Sequence, residues 1–453
     1  MNVKRKVLSF NIFFLLLLIA ATFLFEWKPG ITGENFRPIN IVSDIKKDTT
    51  QLTARASVNP AGAAKVIQKN AAIKDYTTST SLVNASGNQY ALQSFLQKLA
   101  ELKKKKRRKI RIAYFGDSMI EGDLITEDLR RELQDIFGGS GVGFVPVTSI
   151  VAGFRQTVTH SFSDDWQDVN FKSEDKSTAN LFISGHSFFA GQNSWVNYAA
   201  VKHPHLDSFS NVAVLYGAPA SGKATTATLT INGKQQAITA TESFNEFDYK
   251  DADHKKFTFG ISSPDIPVYG AAFEADSGIY IDNFSFRGIT GVEYKYFTDD
   301  FLKQLQKKRP YDLLVFQYGP NLLFKPDLTD FSWYQKMMLP VLKKIRAAFP
   351  ETDILIISTA DKGANYQGAW HTSKGVKPLI DVQYNMAQNT GADFLNLYNA
   401  MGGEDAMVHW VEGDTTYANK DYTHVNFRGG KRLADIIFNA IMKEYYDFEK
   451  HTD

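Results

Sequence analysis

Strand-like runs that alternate with stretches of helical spacing are the feature that most restricts what this chain can fold into. One unit opens at 110–115, breaks into the tight Gly116-Asp117-Ser118, and continues as a helix in which Leu129, Leu133, Ile136 and Phe137 share a face. Thr126 stands where an N-cap is expected and Gly138 where the helix should stop. After residue 290 the alternation resumes, with helical spacing at 297–307, 333–349, 379–388 and 429–445, and apolar runs at 313–317, 354–359 and 394–398. Strands joined through helices run parallel and must be covered on both faces. The expectation is an α/β fold with a three-layer parallel sheet. Ligands of such sheets sit beyond the carboxyl ends of the strands, which puts Ser118 at the mouth with its amide available to an oxyanion.

The chain has 453 residues, more than one simple core needs, so a second domain or a large insertion is expected. Residues 151–285 supply it, for they interrupt the α/β pattern with segments such as NVAVLYGA, ATTATLTINGKQQAITA, KKFTFGI and GIYIDNFSF. Asn232-Gly233 between two alternating runs is a hairpin signal, and the stretch reads as an inserted all-β, sandwich-like domain. Formal charge is +2, from 51 basic and 49 acidic residues, which gives no global case for binding nucleic acid. There is no cysteine, which excludes disulfides, thiolate metal sites and a cysteine nucleophile.

At the N-terminus Lys4, Arg5 and Lys6 precede an apolar run over 7–25. At ~1.5 Å per residue that run spans roughly 28 Å, about the hydrocarbon thickness of a bilayer. The bulky residues from Phe23 to Trp27 offer no small-x-small cleavage site. Residues 1–27 are therefore expected to be an uncleaved membrane anchor, with the rest of the chain on the extracytoplasmic, periplasmic side by the positive-inside rule. Residues 28–90, rich in Thr, Ser, Asn and Ala, read as a flexible linker. A helix should begin near Leu92, with Phe95, Leu96, Leu99 and Leu102 on its apolar face, and end in the basic run 103–109 as a solvated helix end.

Four short blocks sit at the junctions of the α/β pattern: GDSM at 116–119, GITG at 288–291, GPN at 319–321 and DYTH at 421–424. In order and context they resemble the SGNH (GDSL-like) hydrolases. The stretches GDSMIEGDLITEDLRRELQDIFGGSGVGFVP and GIYIDNFSFRGITG are most similar to the peptidoglycan and cell-wall polysaccharide O-acetylesterases and the related O-acetyltransferases. The resemblance covers about 108–150 and 278–445. It implies a flavodoxin-like SGNH catalytic domain made of 91–150 and 286–453, with Ser118 as nucleophile, His424 as general base and Asp421 orienting His424. It further implies an oxyanion hole formed by the Ser118 amide, Gly291 and Asn321, and a glycan-binding role for the insertion. The third block departs from the family pattern with Pro320 at its middle position and Leu322, not an acidic residue, after Asn321.

The chemistry agrees with the resemblance. A serine hydroxyl needs an imidazole within hydrogen-bond reach, and that imidazole needs a carboxylate or carbonyl on its other nitrogen. Asp421 and His424 lie close enough in one loop to pair, and Asn321 brings a side-chain amide for the oxyanion. Asp117 and Asp123 are rivals for the carboxylate role, but their positions at a helix start point to capping. His160, His186, His254, His371 and His409 have no metal-ligand spacing, and His203-Pro204-His205, read as two imidazoles on one strand face, falls short of a metal site. No cofactor or metal is expected. Trp166, Trp195, Trp333, Trp370 and Trp410 read as core by default, with Trp370 the candidate to line an acyl-acceptor cleft. Three functions remain: an esterase acting on O-acyl, chiefly O-acetyl, groups of an extracytoplasmic glycan such as peptidoglycan; an O-acetyltransferase of the same fold, with a membrane-bound O-acyltransferase as candidate partner; and a non-catalytic glycan-binding scaffold.

Overall fold

The computed structural model describes residues 73–174, 180–250 and 255–452. The anchor expected at 1–27 and the linker as far as 72 lie outside the described residues. Among those described, no helix is long and apolar enough to cross a membrane.

Five strands form the parallel sheet: Lys109–Gly116, Gly278–Ser285, Leu313–Gln317, Asp353–Ile357 and Asp393–Leu395. Counted in chain order, they lie across the sheet as 2-1-3-4-5, the flavodoxin-like arrangement. Alternate residues feed opposite layers. Ala113, Phe115, Leu314, Phe316, Ile354 and Ile356 face the helices Asp299–Lys308, Ser332–Ala348 and Val376–Thr390. Ile112, Tyr114, Leu313, Val315, Leu355 and Ile357 face the helices Gln93–Lys103, Thr126–Phe137 and Phe427–Thr452. The expected three-layer fold is thus observed, with every residue of Leu313–Gln317 buried, as a central parallel strand requires.

The linker ends earlier than expected. Within 73–90 the chain forms a helix, Ile73–Thr78, and a strand, Leu82–Val83, that adds antiparallel to Asp393–Leu395 at the sheet edge. Tyr76 stacks on Tyr384 with ring centroids 3.8 Å apart and donates to Asp381 Oδ1 at 2.8 Å. A two-residue strand carries no periodicity, so composition alone misread it. Thr126 does not cap its helix either: the cap position is Ile125, while the Thr126 hydroxyl donates to Asp123 and accepts from Asn283. Gly138, at φ 75°, does end that helix.

The insertion is a sandwich, with boundaries that differ from 151–285. One sheet runs in the order Lys234–Ala240, Thr225–Ile231, Lys256–Ile261, Val196–Ala199, Thr159–Phe162. The other contains Asn245–Tyr249, Asn211–Tyr216, Val268–Glu274, His186–Phe189 and Gln167–Asn170. Gly143–Pro146, assigned from sequence to the catalytic domain, pairs with Val268–Glu274 and belongs to the second sheet. Gly278–Ser285, assigned to the insertion, instead pairs in parallel with Lys109–Gly116. Its seven leading residues are all buried, because the helix Thr126–Phe137 covers one face and Phe144 and Phe182 pack on Phe284 from the other. Asn232 and Gly233, at φ 48° and 80°, make the expected two-residue turn between paired strands.

Candidate active site

The topological switch point lies between Lys109–Gly116 and Leu313–Gln317, the first and third strands of the sheet. Three short segments meet there. Ser118 follows the first strand in a tight turn in which the Ile120 N–H donates to the Asp117 carbonyl at 3.3 Å and the Glu121 N–H to the Ser118 carbonyl at 3.4 Å. Gly319-Pro320-Asn321 follows the third strand. Gly319 is held so close to the neighbouring strand end that a Cβ there would fall 2.1 Å from Thr359 Oγ1 and 2.8 Å from its Cα. Asp421 to His424 precede the last helix.

The geometry joins the first and last of these. Ser118 Oγ lies 2.8 Å from His424 Nε2, and His424 Nδ1 lies 2.7 Å from Asp421 Oδ2. The other Asp421 oxygen accepts the backbone N–H groups of Thr423 and His424 at 3.0 and 2.9 Å. Partial burial alone would raise this carboxyl. The hydrogen bonds from the His424 and Thr423 amides and the imidazole outweigh burial and hold it below the usual carboxylate range. Asp421 is therefore an ionised acceptor fixed on one side by backbone and on the other by imidazole, and both partners remain open to solvent, with side chains 50% and 39% exposed.

Asp117 has a different task. It is fully buried, and burial pushes its carboxyl up to about 6 against the opposing pull of the Met119 amide and nearby His424. Its oxygens accept from the Met119 N–H at 3.0 Å, which closes the nucleophile turn as a cap would, and from the Asn321 amide at 3.2 Å. Asp123, the other rival, caps nothing. It accepts the Thr126 and Thr157 hydroxyls and pairs with the buried guanidiniums of Arg130 and Arg155.

The two remaining oxyanion candidates flank the same strand end. Gly291, at φ 90°, opens a short 3₁₀ turn, and a Cβ there would press on the Tyr318 ring at 3.0 Å. Asn321 Nδ2 donates to the Ile289 carbonyl at 2.9 Å as well as to Asp117, so both of its hydrogens are engaged in this state. Lys362, which sequence reasoning did not single out, pins the Asn321 loop by donating to the Pro320 and Leu323 carbonyls at 3.0 and 2.9 Å. Burial lowers its ammonium against the nearby charges of Asp117 and Asp421.

Trp370 does not stand free in a cleft. It stacks on Tyr422, inside the DYTH segment, at 3.9 Å between centroids and 6° between planes. His371 pairs with Asp405. Of the tryptophans read as core, Trp166 and Trp410 are buried, whereas Trp195 and Trp333 are exposed. His205 sits at φ 63°, off any strand, and pairs with Asp135. Among the described residues no group of three His, Asp or Glu is placed to hold a metal ion. Sequence reasoning also missed Phe154 and Phe427, whose rings stack at 4.8 Å beside the site. Phe154 crowds Gly122, just past Ser118, Phe427 follows His424 on the last helix, and both rings remain exposed.

No family model matches the chain, and no curated protein matches its sequence. Among solved structures, one of a peptidoglycan O-acetylesterase superposes with a TM-score of 0.66 at 22% identity, covering 80% of this chain and 98% of that one. A salicylyl-acyltransferase from a tetracycline biosynthetic pathway matches at 13% identity over 66% of this chain and 96% of its own, with a TM-score of 0.30. A family two carbohydrate esterase from Cellvibrio japonicus matches at 8% over 64% and 98%, with a TM-score of 0.27. The sheet order, the sandwich insertion and the 0.66 superposition together give this chain the fold of the SGNH hydrolases.

Proposed function

We propose that the protein is a serine esterase that removes O-acetyl groups from an extracytoplasmic glycan through an acyl-enzyme. The observation that carries this is the unbroken relay from Ser118 Oγ through both His424 nitrogens to Asp421, with links of 2.8 and 2.7 Å. Ser118 attacks the ester carbonyl while His424 Nε2 takes its proton. Asp421 holds the Nδ1–H tautomer and balances the imidazolium that forms. The Ser118 amide, the Gly291 amide and Asn321 receive the oxyanion. Asn321 does so by turning one hydrogen from Asp117, the longer of its two bonds, toward the new charge. His424 then returns the proton to the departing sugar hydroxyl, and water repeats the sequence on the acyl-enzyme.

The superposed structure is of a peptidoglycan O-acetylesterase, which supports an acetylated glycan as substrate. The exposed Phe154–Phe427 pair beside the site gives sugar faces a surface on which to stack. The half-exposed relay admits water, which favours hydrolysis over transfer. The expected anchor over 1–27 would hold this site on the periplasmic face of a membrane.

The test is acetate release from 4-nitrophenyl acetate and from O-acetylated peptidoglycan by the purified protein. Ser118→Ala should lower both by about 10⁴-fold or more, and a fluorophosphonate should label Ser118 in the wild type but not in His424→Ala. Wild-type turnover by Ser118→Ala overturns the reading. Acetyl groups recovered on added glycan rather than in solution would assign transfer instead.

A further inference from the structure

The loop that carries Asn321 is secured at three points. The Gly319 carbonyl accepts the Leu322 and Leu323 N–H groups at 2.8 and 3.3 Å, which folds 319–323 into a single turn. The Gln383 amide donates to the Tyr318 carbonyl at 2.7 Å, while Gln383 Oε1 accepts the Thr359 N–H at 2.8 Å, so the base of the loop is tied to the neighbouring strand end. Lys362 is the third point. Its ammonium donates to the Pro320 carbonyl, directly before Asn321, and to the Leu323 carbonyl, two residues after it, at 3.0 and 2.9 Å. Withdrawing an ammonium from water is unfavourable, and burial lowers the pKa of this one against the pull of Asp117 and Asp421.

Lys362 is itself fixed at the backbone. Asp361, 1% exposed, accepts the Lys362 N–H at 2.9 Å through one oxygen and the Met407 N–H at 2.7 Å through the other. The Ser373 N–H donates to the Lys362 carbonyl at 2.8 Å, and the next residue, Gly363, donates its N–H to the Tyr422 carbonyl at 2.8 Å. Two adjacent residues thus hold both halves of the centre. The Lys362 side chain grips the oxyanion loop, and the Gly363 backbone grips the loop that carries His424.

Asn321 needs that support for a specific reason. Its two hydrogens are engaged by Asp117 and by the Ile289 carbonyl. To meet an oxyanion the carboxamide must turn one hydrogen from Asp117 while the backbone stays in place, because a donor stabilises developing charge only where it is already aimed at it.

We propose that Lys362 is a positioning residue for acyl transfer: by binding the carbonyls on either side of Asn321, it fixes that residue's backbone against the His424 loop, so that only the carboxamide turns to the oxyanion. The inference rests on the esterase reading and adds a requirement to it. The effect of Lys362 on rate passes through Asn321.

A double-mutant cycle on the full chain, with steady-state kinetics on 4-nitrophenyl acetate, tests this. Asn321→Ala should lower kcat by about 10²–10³-fold, as loss of an oxyanion donor does. Lys362→Met should lower it by about 10–100-fold with KM little changed, as loss of positioning does. The double variant should be no slower than Asn321→Ala alone, whereas independent effects would multiply. Lys362→Arg, which keeps the charge and the donors, should recover most of the loss. Lys362→Gln, the milder removal of charge, enters the same cycle and carries the test alone if Lys362→Met does not fold. Wild-type kcat in Lys362→Gln, a loss that multiplies with that of Asn321→Ala, a loss that falls on KM, or no recovery in Lys362→Arg overturns the proposal. Failure of the esterase reading shows separately, as wild-type protein that releases no acetate from the same ester, and the inference falls with it.

Discussion

Two carboxylates stand near His424, and their surroundings divide the work between them. Asp421 is held ionised by amide and imidazole donors, whereas Asp117 is sealed from water and titrates near 6. Asp421→Asn should therefore lower kcat by about 10³–10⁴-fold with the fold intact, because the wrong imidazole tautomer is then favoured. Steady-state kinetics on an aryl acetate, with circular dichroism as control, checks this. For Asp117 the effect falls on stability. Its folded pKa, about 6, lies above the ordinary value of 3.8, so it contributes stability that is fully present below the ordinary value and is lost as pH rises through 6. A shift of that size corresponds to about 3 kcal/mol. The stability of wild type relative to Asp117→Asn should thus fall by about 2 kcal/mol between pH 4.5 and 8 in urea titrations, the rest being lost below pH 4.5, and a flat difference would contradict the burial argument. The relay residues were legible because they fall in short blocks at strand ends. The tasks of Asp117 and Asp123 were only half legible, since burial and pairing with distant arginines leave no local trace.

The DYTH segment depends on an element the sequence did not connect to it. Tyr422 adopts φ 53°, a left-handed conformation unfavourable for an aromatic residue by roughly 1–2 kcal/mol. The hairpin of Gly363–Tyr366 and Ala369–Thr372 holds it there. Trp370 stacks on its ring, and the Gly363 N–H donates to its carbonyl at 2.8 Å. A Cβ on Gly363 would lie 2.7 Å from Tyr422 Cβ. On the far side the Tyr422 hydroxyl donates to Glu412 at 2.6 Å. Trp370→Ala removes the stack and should let His424 wander, lowering kcat for a small ester by about 10–100-fold, as loss of positioning does, with KM little changed. Stability should fall by only about 1–3 kcal/mol. A KM effect on bulky acceptors with kcat preserved would restore the cleft-lining role first expected of Trp370. Helices with wide apolar faces were legible element by element. The Gly278–Ser285 strand was not, because next to a run of β-domain segments it looks like one more of them, and only its partner in the sheet distinguishes it.

Across the whole molecule, the sandwich is built into the catalytic domain rather than tethered to it. Phe182 of the insertion stacks on Tyr269 at 4.8 Å and meets Phe284 of the parallel sheet edge-on at 5.7 Å. Beside this shared apolar core lies a buried charge network. Glu274, on the insertion, accepts from Arg111 at 2.8 Å through both oxygens and from Lys109 at 3.0 Å. Arg309, 1% exposed, reaches Glu274, Glu246 and, at 3.0 Å, Asp282, which also accepts the Tyr311 hydroxyl at 2.7 Å. Burial opposes the charge on Glu274, but Arg309 and Arg111 hold its carboxyl well below the usual range, so its contribution persists above that range and is lost only in strong acid. Removing one partner from such a cluster leaves a buried charge without compensation, which costs roughly 3–5 kcal/mol. Arg309→Met should therefore destabilise the protein by about that amount. Because the network and the Phe182 contact span both parts, the loss should appear as one transition displaced as a unit, followed by tryptophan fluorescence from Trp166 in the sandwich and Trp410 in the catalytic domain, with each observed in a variant lacking the other tryptophans. Two separated transitions, with only the Trp166 signal moved, would mean that the insertion folds as an independent module and that its deletion is a fair test of glycan binding.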